Sequence, residues 1–438
     1  MTIKTALVEL VRRVTQRLPP CANLLRPVVT LALCLVTALT ARAQTPVPPV
    51  VSDVHAAQIS GTNLVQISYE ISDANFTNDN VFILVSKDSG ATWTVPALTF
   101  TGAYGTNVPV LSNVTTNYVI WNAGADWDGN YTTNCRVRVL ANNLGLVLIP
   151  PGSYLMGEPP ALASVDSDIT DAPQYPVYVS AFYMDSTLVT GGKWNFVVQS
   201  YASSHGYAFD NAGSFKAVNH PVQTVNWNDA VKWCNARSQM EGVTPCYYTE
   251  PGFNDVYTNG DLVTVYVNWN ASGYRLPTEA EWEKAARGGL SGLRFPWGNA
   301  LSESQANYDS TNNSFAPYDS GPAGYNANYA TGALPYTSPG GSFAANGYGM
   351  FDMTGNVFEW CWDWYGSGYY QPNQTNPQGP SSGSFRVLRG GAWDAPAQVA
   401  TCAFRGTNSP SATYAPAAYD VRYVAVANIG FRCVRGVP

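Results

Sequence analysis

The segment Arg386-Val-Leu-Arg-Gly-Gly-Ala-Trp393 begins the C-terminal region that decides the fold of this chain. The region continues with Cys402-Ala-Phe-Arg405 and ends with Asn428-Ile-Gly-Phe-Arg-Cys433. No cysteine stands between the Gly-Gly pair and Cys402, and alanines occupy positions 395 and 400. The stretch between Gly391 and Cys402 therefore has no cysteine thiolate that could bind a soft metal ion such as Cu(I).

Two motifs further upstream accompany the C-terminal region. The first is Tyr274-Arg-Leu-Pro-Thr-Glu-Ala-Glu-Trp-Glu283, in which Thr278-Glu-Ala-Glu281 forms a capping box that predicts the start of a helix. The second is Gly347-Tyr-Gly-Met-Phe-Asp-Met-Thr-Gly-Asn-Val-Phe-Glu-Trp360. Thr190 and Asn226 are suitable N-caps for two more helices, because apolar residues follow each of them at helical spacing.

Together these motifs resemble the formylglycine-generating enzyme family, also called sulfatase-modifying factors, from Leu146 to the C-terminus. The resemblance implies a loop-rich α+β domain of C-type-lectin-like architecture over residues 146–438. In the family's oxidases, a copper-binding cysteine lies four residues after the Gly-Gly pair, and a second lies five residues further on. Ala395 and Ala400 stand at those positions. The resemblance therefore implies the family's fold, and the two alanines imply loss of its copper-dependent reaction.

Calcium is the cofactor that the resemblance implies. Carried over from the family, the predicted ligands are the carbonyl oxygens of Asp352, Gly355 and Val357 and the side chain of Glu359. A hard cation prefers such an all-oxygen set. The alternative is that Glu359 accepts hydrogen bonds from backbone amides, since a buried carboxylate needs a partner. A second family site for calcium would begin at Asn307 and Tyr308.

Six cysteines follow residue 43, and an even number favours disulfides in an exported protein. The resemblance implies a bond between Cys234 and Cys433. The family's partner for Cys402 would stand at Ala286, and we expect Cys361 to replace it. Cys135 and Cys246 remain, either as buried thiols or as a bridge between domains.

The pattern upstream of residue 146 is that of a β-domain. Residues Val65 to Ile71 alternate between apolar and polar, as a half-buried strand requires. Residues 81–86, 91–95, 118–121 and 135–140 read as further strands, the first two forming a hairpin. This predicts an all-β sandwich of immunoglobulin or fibronectin type III kind over residues 51–143. The acidic stretch from Asp126 to Asn130 lacks a bidentate glutamate and is expected to be a turn.

The N-terminus has the features of an export signal. Basic residues precede an apolar run that ends in Ala41-Arg42-Ala43, so we expect a signal peptide over residues 1–43 and a proline-rich linker over 44–50. Without residues 1–43 the chain keeps 17 Lys and Arg residues against 29 Asp and Glu residues, a formal charge of −12. This balance opposes nucleic acid as a partner. We expect an exported protein with no membrane span after cleavage.

Other catalytic devices are absent from the sequence. The chain has three histidines, none of them in a metal-ligand spacing, and it has no phosphate-binding or dinucleotide-binding glycine motif. Trp393, Asp394 and Arg405 could line a groove for a ligand, and Arg275, Arg389 and Arg432 could join them. The alternative is that these arginines are buried and hold loops together.

The sequence thus favours an exported, calcium-stabilised binding or accessory protein that is not an oxidase. Its expected partner is an extracytoplasmic protein, a peptide or a glycan. The rival hypothesis is an enzyme: a formylglycine-generating oxidase that activates sulfatases with unfamiliar ligands, or a different chemistry in the same cleft. Fold alone does not decide between them, because one fold serves many functions.

Overall fold

The structure is a computed structural model. It describes residues 49–73, 78–91, 93–95, 97–110, 116–142, 145–163, 165–166, 169–311, 316–413 and 428–437. The predicted signal peptide and most of the predicted linker lie outside these ranges. The described residues all belong to one compact unit, Val47–Pro438. No helix in the described part is long and apolar enough to cross a membrane.

The N-terminal part is built from antiparallel strands. Its described elements are β1 (Val50–Gln58), β2 (Leu64–Ser72), β3 (Asn78–Ser86), β4 (Phe100–Gly102), β5 (Gly105–Pro109), β6 (Thr116–Asn122), α1 (Ala123–Asp126) and β7 (Arg136–Asn142). They form one sheet in the order β1-β2-β6-β4 and a second in the order β5-β3-β7. Apolar residues of both sheets, among them Ile67, Val81 and Trp121, share one core. The two sheets therefore form a sandwich, and its kinship to immunoglobulin or fibronectin type III domains stays a prediction.

Most of the expected strands are present, but the expected hairpin is reduced to one antiparallel bridge. Strand β3 pairs with β5 and β7, and the stretch 91–95 contributes a single bridge, Val85 to Val95. The turn after Ser86 forms, because the Ser86 hydroxyl accepts hydrogen bonds from the amides of Asp88 and Gly90. Turn signals predicted the reversal of the chain, but they could not predict which strand lies beside β3.

Strand β3 also joins the sandwich to the rest of the molecule. Alternate residues of its apolar run Val81-Phe-Ile-Leu-Val85 point to opposite faces, as in any strand. Val81, Ile83 and Val85 lie in the sandwich core, whereas Phe82 and Leu84 lie in the core of the C-terminal part. The Phe82 ring meets Tyr183 edge to face, with ring centroids 5.9 Å apart. A strand that is buried on both faces explains why this run is apolar without interruption.

The C-terminal part combines short strands with a few helices, so the predicted α+β class is confirmed. Its strands are β8 (Leu146–Ile149), β9 (Gly152–Met156), β10 (Tyr175–Val179), β11 (Phe182–Asp185), β12 (Tyr247–Tyr248), β13 (Tyr266–Val267), β14 (Asp309–Ser310), β15 (Gly324–Tyr325), β16 (Phe358–Trp364), β17 (Gln374–Thr375), β18 (Arg386–Arg389), β19 (Gly406–Asn408), β20 (Ile429–Gly430) and β21 (Val434–Gly436). Its helices are α2 (Gly191–Ser200), α3 (Trp227–Met240) and α4 (Glu279–Arg287), with 3-10 turns at Ala202–Ser204 and Ala397–Ala400.

The three predicted helix starts are confirmed. Thr190, Asn226 and Thr278 each accept a hydrogen bond from the third residue of their helix, and Thr278 forms the expected capping box with Glu281. Helix α4 ends at Gly288, whose φ of 57° is the left-handed conformation that glycine adopts without strain. Every residue of α4 is buried, including its charged ones. This helix therefore needs ionic partners from other elements.

The sheet β19-β18-β16-β20 supplies those partners and positions the C-terminal motifs. Glu359 of β16 lies opposite Arg389 of β18 on one side and opposite Gly430 of β20 on the other. Three motifs that are far apart in sequence thus meet in one small sheet. The candidate site lies where β18 ends.

Candidate functional site

The Gly-Gly pair makes a sharp turn at the end of β18. Both glycines have positive φ angles, 89° at Gly390 and 73° at Gly391. A Cβ atom on Gly391 would lie 2.9 Å from the Cβ of Ala400, and one on Gly390 would lie 3.1 Å from the Trp282 ring. Glycine is required here both by conformation and by close approach. The turn places Gly390 against Trp282 of α4 and Gly391 against Ala400.

Ala395 and Ala400, the positions where the resemblance places the family's cysteines, are buried in packed surroundings. Ala400 is fully buried in a cluster that includes Phe295, Leu301 and Tyr308. Ala395 is 5% exposed, and its carbonyl accepts a hydrogen bond from Asp309 N at 3.0 Å. Methyl groups have no lone pair to offer a metal, so these positions can bind neither Cu(I) nor any other ion through their side chains.

Trp393 and Asp394 lie beside these alanines. The Trp393 ring is 1% exposed and packs against Tyr325 and Tyr336, each with a centroid distance of 5.4 Å. Its indole N–H has no hydrogen-bond partner in the described part of the chain. Asp394 accepts a hydrogen bond from Asn428 Nδ2 at 2.8 Å, and burial raises the pKa of this carboxyl to about 6. Trp393 and Asp394 thus lie in a packed aromatic cluster that contains one buried carboxyl group.

Arg405 does not join that cluster. Its guanidinium donates to both carboxylate oxygens of Glu279, at 2.7 and 2.9 Å, and it stacks near Tyr365 and Tyr370. None of these residues is among the ring or hydrogen-bond partners of Trp393 and Asp394. The predicted ligand groove therefore divides into two separate neighbourhoods.

Arg389 completes a buried charge network with Arg405 and helix α4. Its guanidinium donates to Glu279 at 3.2 Å and to Glu283 at 2.6 Å, and the side chains of all three residues are at most 1% exposed. It also donates to the carbonyls of Ala403 and Phe404. Burial opposes ionisation of Glu279, but Arg405 and Arg389 outweigh it and lower the pKa of this carboxyl. The network fastens the C-terminal region to α4.

Arg432 plays the same role for the predicted calcium segment. It donates to both oxygens of Glu359, at 2.7 and 2.9 Å, and to the carbonyls of Phe351 and Asp352. Glu359 thus already has a cation as its partner. Arg275 likewise forms a two-pronged pair with Glu281. All four arginines hold loops together through buried ion pairs, and Arg405 also lines a small cavity of about 70 Å³.

Of the other predicted calcium ligands, the Asp352 carbonyl accepts a hydrogen bond from Arg432, but unused oxygen atoms remain on the Asp352 side chain and on Gly355 and Val357. Asp352 Oδ1 is buried without a hydrogen-bond partner, whereas Oδ2 accepts from Gly341 N at 2.8 Å. Burial raises the pKa of this carboxyl to about 6. No described residue donates to the carbonyl oxygens of Gly355 or Val357, both of which are buried. A buried carboxylate oxygen and free backbone carbonyls are oxygen ligands of the kind that calcium prefers.

The second predicted calcium position shows internal hydrogen bonds. The Asn307 side chain donates to the carbonyl of Tyr336 at 2.8 Å, and the Asn307 carbonyl accepts from Asn356 N. The Tyr308 hydroxyl donates to Asp319 at 2.6 Å. No group of three or more His, Cys, Asp or Glu residues placed to hold a metal occurs within the described ranges.

The cysteines are placed unequally. Cys234 on α3 and Cys433 before β21 lie with their sulfur atoms 3.5 Å apart, and both are fully buried. Cys361 and Cys402 are both buried, but no contact between their sulfur atoms occurs in the described structure. Their pairing stays a prediction. Cys246 is buried in the C-terminal core and Cys135 is half-buried in the sandwich.

Comparisons with known proteins show which family the C-terminal part resembles. A family model described as a sulfatase-modifying factor enzyme 1-like domain matches residues 136–437. The formylglycine-generating enzyme of Streptomyces coelicolor is 31% identical over 315 residues, which cover 66% of this chain and 88% of that protein. The chaperone protein LppX of Paenibacillus barcinonensis is 33% identical over 235 residues, covering 52% of this chain and 75% of LppX.

The chain is also similar to a protein named as a kinase and to a solved structure. The serine/threonine-protein kinase pkn1 of Chlamydia caviae is 30% identical over 295 residues, and this chain spans only 38% of its length. Among solved structures, Treponema denticola variable protein 1 has 26% sequence identity and a TM-score of 0.49, covering 70% of this chain and 98% of that one. The names of the curated relatives differ: formylglycine-generating enzyme, chaperone protein and serine/threonine-protein kinase.

Proposed function

The chain belongs to the family of sulfatase-modifying factor enzyme 1-like domains, and we propose that it is an exported, calcium-stabilised binding or accessory protein of that family. One observation carries the proposal. The positions of the family's copper-binding cysteines are Ala395 and Ala400, and both methyl groups are buried against other protein atoms. The scaffold is therefore kept while the thiols needed for copper-dependent oxidation of a cysteine are gone.

A binding or accessory role accords with the range of the family. One relative is named a chaperone, and others are named formylglycine-generating enzymes. The acidic charge of the chain after residue 43 disfavours nucleic acid and anionic surfaces. We propose an extracytoplasmic protein, a peptide or a glycan as the partner.

Calcium fits the residues present at one of the two family positions. The Asp352 carbonyl, which the resemblance implies as a ligand, accepts a hydrogen bond from Arg432. The ligands would therefore be the free carboxylate oxygen of Asp352 and the carbonyls of Gly355 and Val357. Glu359 would contribute less than the resemblance implies, because Arg432 already neutralises it. A bound ion would supply the positive charge that the buried Asp352 lacks, and it would fasten the loop before β16.

The calcium proposal is tested by thermal unfolding with and without a chelator. We expect addition of calcium to raise the melting temperature by several degrees, since saturating a site at about 100 times Kd stabilises by about 2.7 kcal/mol. Asp352→Asn should abolish most of this increase. Asp128→Asn, which changes an exposed carboxylate in the sandwich, is the matched control and should preserve it. An identical melting temperature with calcium and with chelator would refute the site.

The loss of copper is tested by titration. The chain, with Cys234 and Cys433 oxidised, is titrated with Cu(I) against a coloured Cu(I) chelator. The formylglycine-generating enzyme of Streptomyces coelicolor serves as the positive control. We expect the control to withdraw copper from the chelator and this chain to withdraw none. Uptake of one equivalent by this chain would support the oxidase hypothesis.

A further inference from the structure

A cleft of about 270 Å³ opens at one end of the N-terminal sandwich. It is lined by the end of β1, the start of β2, the connection between β6 and β7 that contains α1, and the start of β7. Strand β1 is an edge of one sheet and β7 is an edge of the other. The cleft therefore enters the sandwich between two edge strands, where no further strand closes it.

The floor of the cleft is apolar and its rim is polar. Val65, Val137 and the buried Trp121 contribute to the floor. The polar residues of the lining include Gln58, Asn63, Asp128, Asn130 and Thr132. Ligand-binding clefts have this composition: an apolar surface provides contact area, and a few polar groups fix the orientation of the ligand.

Two aromatic side chains stand at this rim. Tyr131 is 86% exposed, so its ring gains almost nothing from packing within the molecule. Trp127 is half-buried against the sandwich core and also lines the cleft. Aromatic rings that keep one face available provide a rigid, amphipathic contact surface at low entropic cost.

The charges of the lining restrict the ligand further. No Lys, Arg or His lines the cleft, and Asp128 is its one ionisable carboxylate. Asp128 is exposed, and its carboxylate has no hydrogen-bond partner among the described residues. Such a lining repels phosphate, sulfate and carboxylate groups. It favours a ligand rich in hydrogen-bond donors over an anionic one, since an ionised carboxylate only accepts hydrogen bonds.

We propose that this cleft binds a neutral saccharide. Hydroxyl groups of a sugar would donate to Asp128 and to the amide oxygens at the rim, while the apolar face of its ring would lie on Tyr131 or Trp127. A peptide added as a strand to β1 is the weaker candidate. The cleft includes only Ala56 to Gln58 of that strand, which is too short for a row of main-chain hydrogen bonds.

This site is separate from the C-terminal domain, so it does not depend on whether copper chemistry survives there. It also contains a natural reporter. Cys135 lines the cleft and is half-buried, whereas the other cysteines of the described chain are at most 1% exposed. A ligand in the cleft should shield Cys135 from alkylation.

The test uses the full chain on an array of neutral, acidic and amino-sugar oligosaccharides, with an array of neutral peptides alongside. Each sugar that binds is then added to the protein before treatment with N-ethylmaleimide, and alkylation of Cys135 is followed by mass spectrometry of its peptide. We expect at least one neutral oligosaccharide to bind and to slow this alkylation several-fold.

Three variants make the result specific. Tyr131→Ala and Asp128→Ala should each weaken binding at least tenfold. Tyr118→Ala removes a tyrosine that is 55% exposed elsewhere on the sandwich, and it should bind like the unchanged chain. The proposal is overturned if no neutral sugar binds, if only peptides or acidic sugars bind, or if binding survives both cleft variants.

Discussion

Two stretches of the C-terminal region, Ala395–Ala400 and Cys402–Arg405, are neighbours in sequence but differ in what holds them. In the second, the guanidinium of Arg405 and the main-chain carbonyls take part in a charge network with Glu279 and Arg389. In the first, methyl groups pack against apolar side chains. If Ala395 and Ala400 stand at the family's copper positions, as we propose, the framework of this family and its chemistry rest on different residues of one segment.

The physical costs of changing the two stretches differ accordingly. Removing one member of a buried ion pair leaves an unpaired charge, which costs about 3–5 kcal/mol. Replacing a buried cysteine by alanine leaves no unsatisfied group, because a thiol behaves as a small apolar side chain. The chemistry can therefore be lost while the framework stays intact.

The largest expected effect on stability comes from the cysteine pair Cys234 and Cys433. A disulfide between Cys234 and Cys433 would close a loop of about 200 residues and stabilise the fold by about 4–5 kcal/mol in the chain-entropy model. We expect reduction with dithiothreitol to lower the free energy of unfolding, measured in urea, by this amount. The double variant Cys234→Ala/Cys433→Ala should not respond to the reductant. Free thiols at both positions in the purified protein, before any reductant is added, would exclude the bond.

Breaking the charge network should have the next largest effect. Arg389→Met keeps the length of the side chain but leaves Glu279 and Glu283 short of a partner, so we expect a loss of about 3–5 kcal/mol in the free energy of unfolding. Arg136→Met changes an exposed arginine in the sandwich and should alter stability by less than about 0.5 kcal/mol. Equal effects of the two substitutions would show that the network does not carry the framework.

A smaller effect on stability, which depends on pH, is expected from Asp394, the residue next to Ala395. Burial raises the pKa of Asp394 to about 6 in the folded chain, from an ordinary value of 3.8. The folded state therefore binds this proton more tightly than the unfolded state, and its stability falls as the pH rises from about 4 to 6. Asp394→Asn does not titrate. The stability of the variant is compared with that of the unchanged chain at each pH. We expect this difference to shift in favour of Asp394→Asn by about 2–3 kcal/mol between pH 4 and pH 8.

Urea unfolding of both proteins at the two pH values measures this effect. A difference that is the same at pH 4 and pH 8 would mean that Asp394 is not destabilised by burial. A variant less stable at pH 8 than the unchanged chain would mean that the Asn428 contact matters more than the buried charge.

The sequence predicted the local features of the fold well. The helix starts at Thr190, Asn226 and Thr278 follow from capping chemistry, which depends on residues close together in the chain. Strands β2, β6 and β7 follow from alternation. The pairing of β3 could not be predicted in this way, because neighbouring strands are chosen by the whole sandwich and not by the turn beside them.

The candidate site was predicted less completely. Ala395 and Ala400 could be singled out from the sequence because the absence of a thiol is a matter of residue type alone. The pair Arg432–Glu359 was not foreseen, since the two residues are distant in sequence and each had a plausible separate role. The cleft at Trp127 and Tyr131 was also missed. The nearby acidic stretch was correctly expected to form a turn, but an exposed aromatic residue carries no periodic signal.

The central claim, that this chain keeps the family's framework without its reaction, is tested most directly by turnover. The chain is incubated with copper, oxygen and a peptide that carries the sulfatase motif Cys-x-Pro-x-Arg, with the Streptomyces coelicolor enzyme as positive control. Mass spectrometry then follows conversion of the peptide's cysteine to formylglycine. We predict conversion by the control and none by this chain. Repeated turnover by this chain would contradict the account.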